Sequence, residues 1–248
     1  MEICGDNMEI KKILVTGSSG TNRMKKYDDV SVVMGSRNEE KAIRKVITDI
    51  QKATNNEAEI VVVDGSTDRT PEIAEELGAR VIRQEPQGYG VAVKEALLSA
   101  SRDIIITVDC DDTYPAEQIP EFVDLIREGF DVVSGSRLIK NTENMTKLNK
   151  FGNKLFAWIT SLLYGIKVTD VTTGMRAYRR EVIHNINWTE NVGLSAELLF
   201  RPALRGYKII EIPINYKPRL GETKLNPFTG GLGILKSILK YRLIGDKR

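Results

Sequence analysis

The segment Ile104-Ile105-Ile106-Thr107-Val108-Asp109-Cys110-Asp111-Asp112 is the part of the chain that decides the fold. Its first five residues are apolar or β-branched, which is typical of a central strand buried on both faces of a parallel sheet. The run ends in aspartates, so carboxylates follow the carboxyl end of this strand. Because ligands of open α/β sheets bind outside the carboxyl ends of the strands, this turn is the first candidate for a binding site.

Apolar runs and helical periods alternate on both sides of this segment. We expect strands at 30–34, 60–63, 80–82 and 131–134, and helices at 39–52, 71–77, 91–100 and 115–128. This alternation predicts a Rossmann-like α/β fold, with a mostly parallel sheet covered by helices on both faces. Beyond residue 137 the pattern is less regular, and we expect helices at 148–164, 195–205 and 228–243 and strand structure at 208–216.

The composition is that of an ordinary globular protein. The chain has 248 residues, with 36 Lys and Arg against 34 Asp and Glu and a hydrophobic fraction of 41%. These values exclude intrinsic disorder, and two cysteines are too few for a disulfide scaffold and indicate a reducing compartment. The net charge of +2 hides a gradient, since residues 201–248 contain 11 basic and 3 acidic residues. We therefore expect the C-terminal fifth of the chain to face an anionic partner.

Polar loops follow four of the predicted strands, at 35–39, 64–66, 109–111 and 135–137. The carboxyl ends of parallel strands meet at one edge of the sheet, so these loops should form a single rim. Asp109 and Asp111 offer carboxylate oxygens to Mg²⁺ or Mn²⁺, ions that keep positions for water and phosphate oxygens, and the simplest ligand is a metal-bound diphosphate. The alternative is structural, because Asp112 or Thr113 is also a suitable cap for a helix that begins near residue 115.

Six short motifs are spread over most of the chain. They are Val30-Ser31-Val32-Val33 with Asn38-Glu39-Glu40, Val63-Asp64-Gly65-Ser66-Thr67-Asp68, Asp109-Cys110-Asp111-Asp112, Gly135-Ser136-Arg137, Asp170-Val171-Thr172-Thr173-Gly174-Met175-Arg176, and Arg219-Leu220-Gly221-Glu222-Thr223-Lys224. In this order they resemble glycosyltransferase family 2, the inverting enzymes with a GT-A nucleotide-sugar transferase fold. Within that family the chain is most similar to the dolichyl-phosphate (polyprenyl-phosphate) sugar synthases.

The resemblance implies a GT-A catalytic domain at 27–227, preceded by an N-terminal extension at 1–26 and followed by a basic amphipathic helix at 228–248. The extension contains Gly17-Ser18-Ser19-Gly20, which imitates the glycine turn of a dinucleotide-binding fold. No patterned helix and no βαβ unit with a distal acid follow this turn, so we do not expect dinucleotide binding.

The resemblance also implies roles in donor binding. Glu39 and Asp64 would hold the nucleoside, and Asp109 and Asp111 would contact the metal and the donor phosphates. The full set of candidate nucleotide-sugar-binding residues is Gly35, Arg37, Glu39, Asp64, Lys94, Asp109 and Asp111, with Asp109 and Asp111 as the metal ligands.

Two positions depart from the family pattern. Arg37 replaces the aromatic residue expected beside the nucleobase, and because a guanidinium also stacks on a base, the donor base stays open. Thr113 replaces the Gln that often stands two places after the second metal aspartate. Whether residue 113 coordinates the metal therefore stays open.

Arg137, Arg219 and Lys224 are implied to meet the phosphate groups of the donor and the acceptor. Departure of a nucleoside diphosphate builds negative charge, which a divalent ion and Arg or Lys side chains stabilise. An acceptor phosphate with a second pKa of about 6 is already ionised at neutral pH, so it needs cations more than a strong general base. The candidate catalytic residues are Asp111, Arg137 and Glu197, and Glu197 is open between a base, an acid that orients an arginine, and a helix surface charge.

Two helices carry the expectations about partners. The longest strongly apolar stretch, at 155–166, is shorter than the roughly 20 residues that cross a bilayer. The helix at 148–164 either packs in the interior or lies on a membrane surface, and the basic helix at 228–243 is either interfacial or an ordinary solvated helix on the sheet. We expect a peripheral protein on the cytoplasmic face of a membrane, with or without a membrane subunit. We expect no nucleic-acid partner, because the basic region lacks interleaved aromatic residues.

These observations predict a metal-dependent, inverting enzyme that transfers mannose or a glucose-like sugar from a GDP- or UDP-sugar to dolichyl or polyprenyl phosphate. Two alternatives remain. A family 2 transferase with a saccharide acceptor would need Glu197 as a base, and a nucleotide-sugar-binding subunit would need a membrane partner for activity.

Overall fold

The computed structural model describes residues 26–139, 145–219 and 227–245. Most of the predicted N-terminal extension and Lys224 lie outside these ranges. The strands are β1 (Val30–Ser36), β2 (Glu59–Asp64), β3 (Arg80–Arg83), β4 (Ile104–Thr107), β5 (Val132–Ser136), β6 (Arg176–Arg179) and β7 (Ile209–Pro213). The helices are α1 (Ile43–Ala53), α2 (Thr70–Glu76), α3 (Tyr89–Ser99), α4 (Ile119–Arg127), α5 (Lys147–Tyr164), α6 (Arg180–His184), α7 (Leu194–Leu204) and α8 (Pro227–Ile244).

The strands form one sheet in the order β3-β2-β1-β4-β6-β5-β7. β1 pairs in parallel with β2 and β4, β2 with β3, and β5 with β7. All four residues of β4 are buried, as predicted for the central strand. The mostly parallel α/β sheet predicted from the sequence is therefore confirmed.

β6 is antiparallel to both of its neighbours and was not predicted. Its sequence Arg176-Ala177-Tyr178-Arg179 has a charge at each end, so it does not have the pattern of an interior strand. Arg176 is nevertheless buried, because its guanidinium donates to Ser134 Oγ at 3.1 Å and to the carbonyls of Ser195 and Val171 at 2.6 and 2.7 Å. Local hydrogen bonds make a buried charge tolerable here, and a hydrophobic pattern cannot show them.

Helices cover both faces of the sheet. One core cluster joins α1, α2 and α4 to one face, and a second joins α3, α6 and α7 to the other. Successive β1 residues alternate between the clusters, with Val32 and Met34 in the first and Val33 in the second. This alternation is the two-residue period of a strand that is buried on both sides.

The irregular second half of the chain adds a third cluster, formed by α5, α7 and α8. Phe200 of α7 lies at its centre, with ring centroids 4.9 Å from Tyr164 and 5.3 Å from Tyr241. α8 is thereby packed on the rest of the molecule through its buried residues Ile238 and Tyr241. Within the described ranges, no helix combines the length and apolar character needed to cross a membrane.

Glu59 connects the beginnings of three chain segments at the edge opposite the rim. Its carboxylate accepts hydrogen bonds from Ser31 Oγ of β1, from the Ser101 N–H at 2.9 Å and from Arg80 Nη2 of β3 at 2.9 Å. Burial opposes ionisation of Glu59, but these hydrogen bonds outweigh it and lower its pKa to about 2.

We predict that Glu59→Gln lowers the free energy of unfolding at pH 7 by on the order of 1–2 kcal/mol. The folded-state pKa of Glu59 is below the ordinary value of 4.5, so its contribution is complete above that pH and is lost as the pH falls towards 2. Urea unfolding at pH 7 and at pH 3 should therefore show a smaller difference between variant and parent at the lower pH. Glu85→Gln, at an exposed position, is the control, and an equal effect of both changes would contradict the prediction.

Candidate active site

The rim predicted at the carboxyl ends of the strands exists, and it centres on the turn after β4. Asp109 Oδ1 accepts a hydrogen bond from Tyr89 Oη at 2.7 Å. Asp111 Oδ1 accepts from the N–H of Thr113 at 3.1 Å and from its Oγ1 at 2.6 Å. Thr113 therefore fixes the Asp111 carboxylate, which is the role the structure gives to the residue that replaces the family's Gln.

The structural alternative for this triplet, a helix cap, is wrong. The next helical turn, Ala116–Gln118, begins after Pro115 without any side-chain cap. Asp112 instead turns outward with a φ of +60° and pairs with Lys45 at 3.0 Å. Asp111 is buried, and its second oxygen, Oδ2, faces the rim.

The turn is electrostatically strained. Burial, followed by the charge of Asp111, raises the pKa of Asp109 to about 6. Burial and Asp109 raise the pKa of Tyr89, so its hydroxyl remains a donor. A Cβ at Gly174 would lie 2.7 Å from Asp109 Oδ2, so only glycine leaves this carboxylate room. The buried Asp111 and the half-buried Asp109, two residues apart, therefore favour positive charge beside them.

Arg219 supplies part of that charge. Its Nη1 lies 2.7 Å from Asp111 Oδ2 and its Nη2 lies 2.8 Å from Glu39 Oε1. One guanidinium thus joins the acid assigned to the metal and the acid assigned to the nucleoside. The structure thus brings Asp111, Glu39 and Arg219 together at the rim, and their roles towards a metal and a nucleoside stay predictions.

Asp64 and Glu39 are held in place by their surroundings. Asp64 is fully buried and accepts hydrogen bonds from Ser36 Oγ and Ser66 Oγ, both at 2.6 Å, and from Arg83 Nη1 at 2.9 Å. The Glu39 N–H donates to Thr70 Oγ1 at 2.8 Å, and its carbonyl accepts from the first turn of α1. Both carboxylates are therefore placed rigidly at the ends of β1 and β2.

The remaining donor candidates differ in position. Gly35 lies inside β1, where a Cβ would come within 3.0 Å of Ala92 Cβ, so close packing of α3 on the strand already explains a small residue. Arg37 is exposed in the loop after β1, and Lys94 is half-buried on α3. Direct contact of these three residues with a donor stays a prediction.

Arg137 lies at the carboxyl end of β5 and is clamped by Asp170. Its Nε and Nη2 bind the two Asp170 oxygens at 2.6 and 2.8 Å, and Nη2 also donates to Thr172 Oγ1 at 2.7 Å. Its guanidinium lies 5.4 Å from the ring centroid of Tyr216. Burial opposes ionisation of Asp170, but Arg137 outweighs it and keeps the pKa of this carboxyl below its ordinary value. The bidentate pair thus holds the positively charged Arg137 side chain in a fixed position at the rim.

Sequence reasoning did not assign Asp170 or Tyr89 to the site. Asp170 stood in a quoted motif, but a paired acid cannot be recognised before its arginine is known to be adjacent. Tyr89 stands in the sequence Gln87-Gly88-Tyr89-Gly90, whose glycines are equally typical of a loop that approaches a phosphate and of a plain strand-to-helix turn. The close approach of Gly90 to Asn191, whose Oδ1 accepts from the Gly90 N–H at 3.1 Å, directs this loop towards Asp109.

Glu197 is not a helix surface charge. It is fully buried on α7 and binds Arg201 Nη1 at 2.8 Å, Tyr241 Oη at 2.9 Å, and the N–H groups of Thr189 and Glu190 at 3.1 and 2.9 Å. All of these partners are donors to the carboxylate. The geometry favours the arginine-orienting alternative over the general base, because both oxygens are already engaged.

We predict that Glu197→Ala lowers the free energy of unfolding by about 3–5 kcal/mol, because Arg201 is then buried without its counter-charge. Chemical denaturation measures the loss. Glu190→Ala is the matched control: it removes an ion pair with Lys240 whose side chain is 40% exposed, and should cost less than about 1 kcal/mol. Equal losses in the two variants would show that Glu197 is not a structural centre.

Solved structures with the same fold bind nucleotide sugars. Glucosyl-3-phosphoglycerate synthase from Mycobacterium tuberculosis superposes with a TM-score of 0.70 at 21% identity, covering 88% of this chain and 82% of that one. Its complex with Mn²⁺, UDP and glucosyl-3-phosphoglycerate gives a TM-score of 0.67 at 23% identity, covering 88% and 81%. These similarities confirm the GT-A fold of the class of nucleotide-sugar transferases.

Sequence comparisons identify the family. A model described as glycosyl transferase family 2 matches residues 31–186. A dolichyl-phosphate hexose transferase of Haloferax volcanii is 61% identical over 217 residues, which are 88% of this chain and 95% of that protein. An undecaprenyl-phosphate mannosyltransferase of Micrococcus luteus is 27% identical over 215 residues, 79% and 87% of the two chains. The chain therefore belongs to glycosyl transferase family 2, as its six motifs predicted.

Proposed function

We propose that this glycosyltransferase moves a hexose, mannose or a glucose-like sugar, from a GDP- or UDP-sugar to dolichyl or polyprenyl phosphate, as a peripheral protein on the cytoplasmic face of a membrane. The observation that carries the proposal is the acid pair Asp109 and Asp111 beside Arg137 and Arg219 in one rim. The 61% identity to the Haloferax transferase supports the class of acceptor.

Donor binding follows from the two rigid acids. Asp64 ends β2 and Glu39 follows β1. These acids accept hydrogen bonds from the nucleoside in place of those donated by Arg83 and Arg219. The exposed Arg37 stacks on the base. Gly35 keeps the strand close to α3, and Lys94 reaches towards the donor phosphates. Arg219 exchanges its carboxylate partners for phosphate oxygens when the donor arrives, since the same guanidinium binds either group in a fork.

The site suits Mg²⁺ or Mn²⁺. Asp109 and Asp111 supply carboxylate oxygens. Burial, followed by the charge of Asp111, raises the pKa of Asp109, and a bound cation would stabilise its ionised form. Within the described ranges no group of three or more His, Cys, Asp or Glu side chains could hold a metal, and water and donor phosphates would fill the positions that the two aspartates leave open. When bound, the ion would neutralise charge on the departing diphosphate.

The acceptor side favours a phosphate over a saccharide hydroxyl. A hydroxyl needs a general base, and Glu197, the candidate for that role, is engaged by Arg201 and Tyr241. An ionised phosphate needs only orientation by cations, which Arg137, held by Asp170, and Arg219 provide, together with Lys224. The arrangement therefore supports direct attack of a lipid phosphate on the anomeric carbon, with inversion.

The transfer assay tests this function directly. Purified protein is incubated with dolichyl phosphate and a panel of labelled GDP- and UDP-sugars, and we expect one label to enter the lipid phase with Mn²⁺ or Mg²⁺ and none with EDTA. Asp111→Asn should reduce transfer at least about hundredfold, because the isosteric amide removes the charge.

Asp112→Asn is the matched control, since Asp112 is adjacent in sequence but faces Lys45 and asparagine also tolerates its positive φ. We expect its transfer rate to equal that of the parent. Label in a water-soluble saccharide instead of the lipid would favour the saccharide acceptor. Product only after addition of a membrane subunit would favour the binding-subunit alternative.

We predict that Mn²⁺ binds about tenfold more weakly at pH 5 than at pH 7. Asp109 has a pKa of about 6, so a proton competes with the ion below that pH, and the ionised fraction falls about tenfold over this range. Electron paramagnetic resonance of free Mn²⁺, without nucleotide, measures the affinity. Affinity that does not change between the two pH values would contradict the assignment of Asp109 as a ligand.

A further inference from the structure

α5 exposes a continuous apolar stripe. Its large apolar side chains with exposures of 40–69% follow a spacing of three and four residues, and they are Leu148, Phe151, Leu155, Trp158 and Leu162. The opposite face of the helix is buried through Asn153, Ala157 and Thr160. At about 1.5 Å per residue, the stripe from Leu148 to Leu162 extends over roughly 21 Å of the 18-residue helix. An apolar stripe of this length on an otherwise polar surface marks an interaction site.

α8 continues the same surface. Its exposed large apolar residues are Leu232, Leu239 and Leu243, while Ile238 and Tyr241 face inward. The two helices touch, since Tyr164 Oη of α5 donates to the Ile238 carbonyl at 2.5 Å and both helices pack on the third core cluster. Both stripes point away from that cluster. We call the eight exposed residues on the two helices the α5–α8 face.

The charges on these helices are of one sign. Among the eight helices of the described ranges, only α5 and α8 contain no Asp or Glu. Their basic residues are Lys147, Lys150 and Lys154 on α5 and Lys236, Lys240 and Arg242 on α8. Large apolar residues, a tryptophan among them, flanked only by Lys and Arg are the composition of helices that lie in the interface of an anionic bilayer.

We infer that the α5–α8 face docks on a bilayer that contains anionic lipid. This inference deepens the proposed function and depends on it, because it specifies how the enzyme meets an acceptor that is itself dissolved in the membrane. The charge of the face argues for lipid: the two helices carry six basic residues and no acid, and within the described ranges only Lys240 among these six forms an ion pair, with Glu190 of the loop before α7. Such a surface matches a plane of phosphate groups.

The face adjoins the phosphate-binding arginine. Thr172 Oγ1 accepts a hydrogen bond from Arg137 Nη2 at 2.7 Å and donates to Asn153 Oδ1 of α5 at 2.6 Å. Ile139, two residues after Arg137, is a further large apolar residue that is 47% exposed. Because Asn153 lies on the buried face of α5, opposite the apolar stripe, Thr172 links Arg137 to the inner side of the docking helix. A bilayer on the exposed face of α5 would therefore hold headgroup phosphates about one helix diameter, roughly 10 Å, from Arg137.

The two tryptophans provide a direct readout. Trp158 is 64% exposed on the face, whereas Trp188 is 3% exposed in the core. In a Trp188→Phe background, we expect the fluorescence of Trp158 to shift to shorter wavelength with vesicles of phosphatidylcholine and phosphatidylglycerol, and to be quenched by brominated lipid chains. Pure phosphatidylcholine vesicles should give a smaller effect.

Substitutions define the face. Phe151→Glu combined with Leu162→Glu should lower vesicle partitioning in a flotation assay by about a hundredfold, because two large apolar contacts are lost. Lys150→Glu combined with Lys154→Glu should lower it about tenfold or more and remove the preference for anionic lipid. Leu98→Glu, at a 41% exposed position on α3, is the matched control and should bind like the parent.

Activity separates this inference from the proposed function. With a short-chain, water-soluble prenyl phosphate, Phe151→Glu/Leu162→Glu should transfer at the parental rate, and with long-chain acceptor in vesicles it should lose transfer in proportion to binding. If the parent does not use either acceptor but still binds vesicles, the proposed function fails alone. If the parent does not bind anionic vesicles, or Leu98→Glu weakens binding equally, the docking face is overturned.

Discussion

The structure depends on one electrostatic constraint, the placement of the buried Asp111 and the half-buried Asp109 at the end of an apolar strand. Two carboxylates at this spacing repel each other and are poorly solvated, so neighbouring donors and cations must compensate them. Tyr89, Thr113 and Arg219 do so by direct hydrogen bonds. These three residues come from the first turn of α3, from the turn itself and from the segment after β7, so the acid pair gathers distant parts of the chain around β4.

The compensating groups in turn need support, and this explains the irregular second half of the chain. Arg137 is held by Asp170, and Glu211 of β7 holds that acid's loop by accepting the Asp170 N–H at 3.0 Å. Arg176 is held by carbonyls in the same way. In the second half of the chain, buried charged groups in pairs and networks take the place of the apolar alternation seen in the first half. Apolar packing alone cannot hold an arginine side chain in a fixed, charged position.

The same difference decides what could be predicted from the sequence. The strands before residue 110 and the rim loops were predictable, because burial of apolar side chains leaves a period of two or a continuous run. β6 was missed because Arg176 stands at a buried position, and Asp170 because its partner, 33 residues away, comes close only through the sheet. Glu197 was left open for the same reason: an acid in the first turn of a helix has the pattern of a surface residue whether or not Arg201 is buried beside it.

A transferase with a water-soluble donor and a lipid acceptor has to place its acceptor-phosphate site at the interface between water and the membrane. The rim satisfies this condition if its donor side, with Asp64 and Glu39, faces water and its cation side, with Arg137, borders the α5–α8 face. Thr172 and Asn153 connect Arg137 to the buried side of α5 with two hydrogen bonds, so the helix itself lies between this arginine and the exposed face. In the proposed reaction an ionised phosphate is a nucleophile without a base, so orientation by a bilayer and by Arg137 would replace proton transfer as the chain's contribution on the acceptor side. The absence of acids from α5 and α8 fits the docking inferred above, since a carboxylate on these helices would be repelled by anionic lipid.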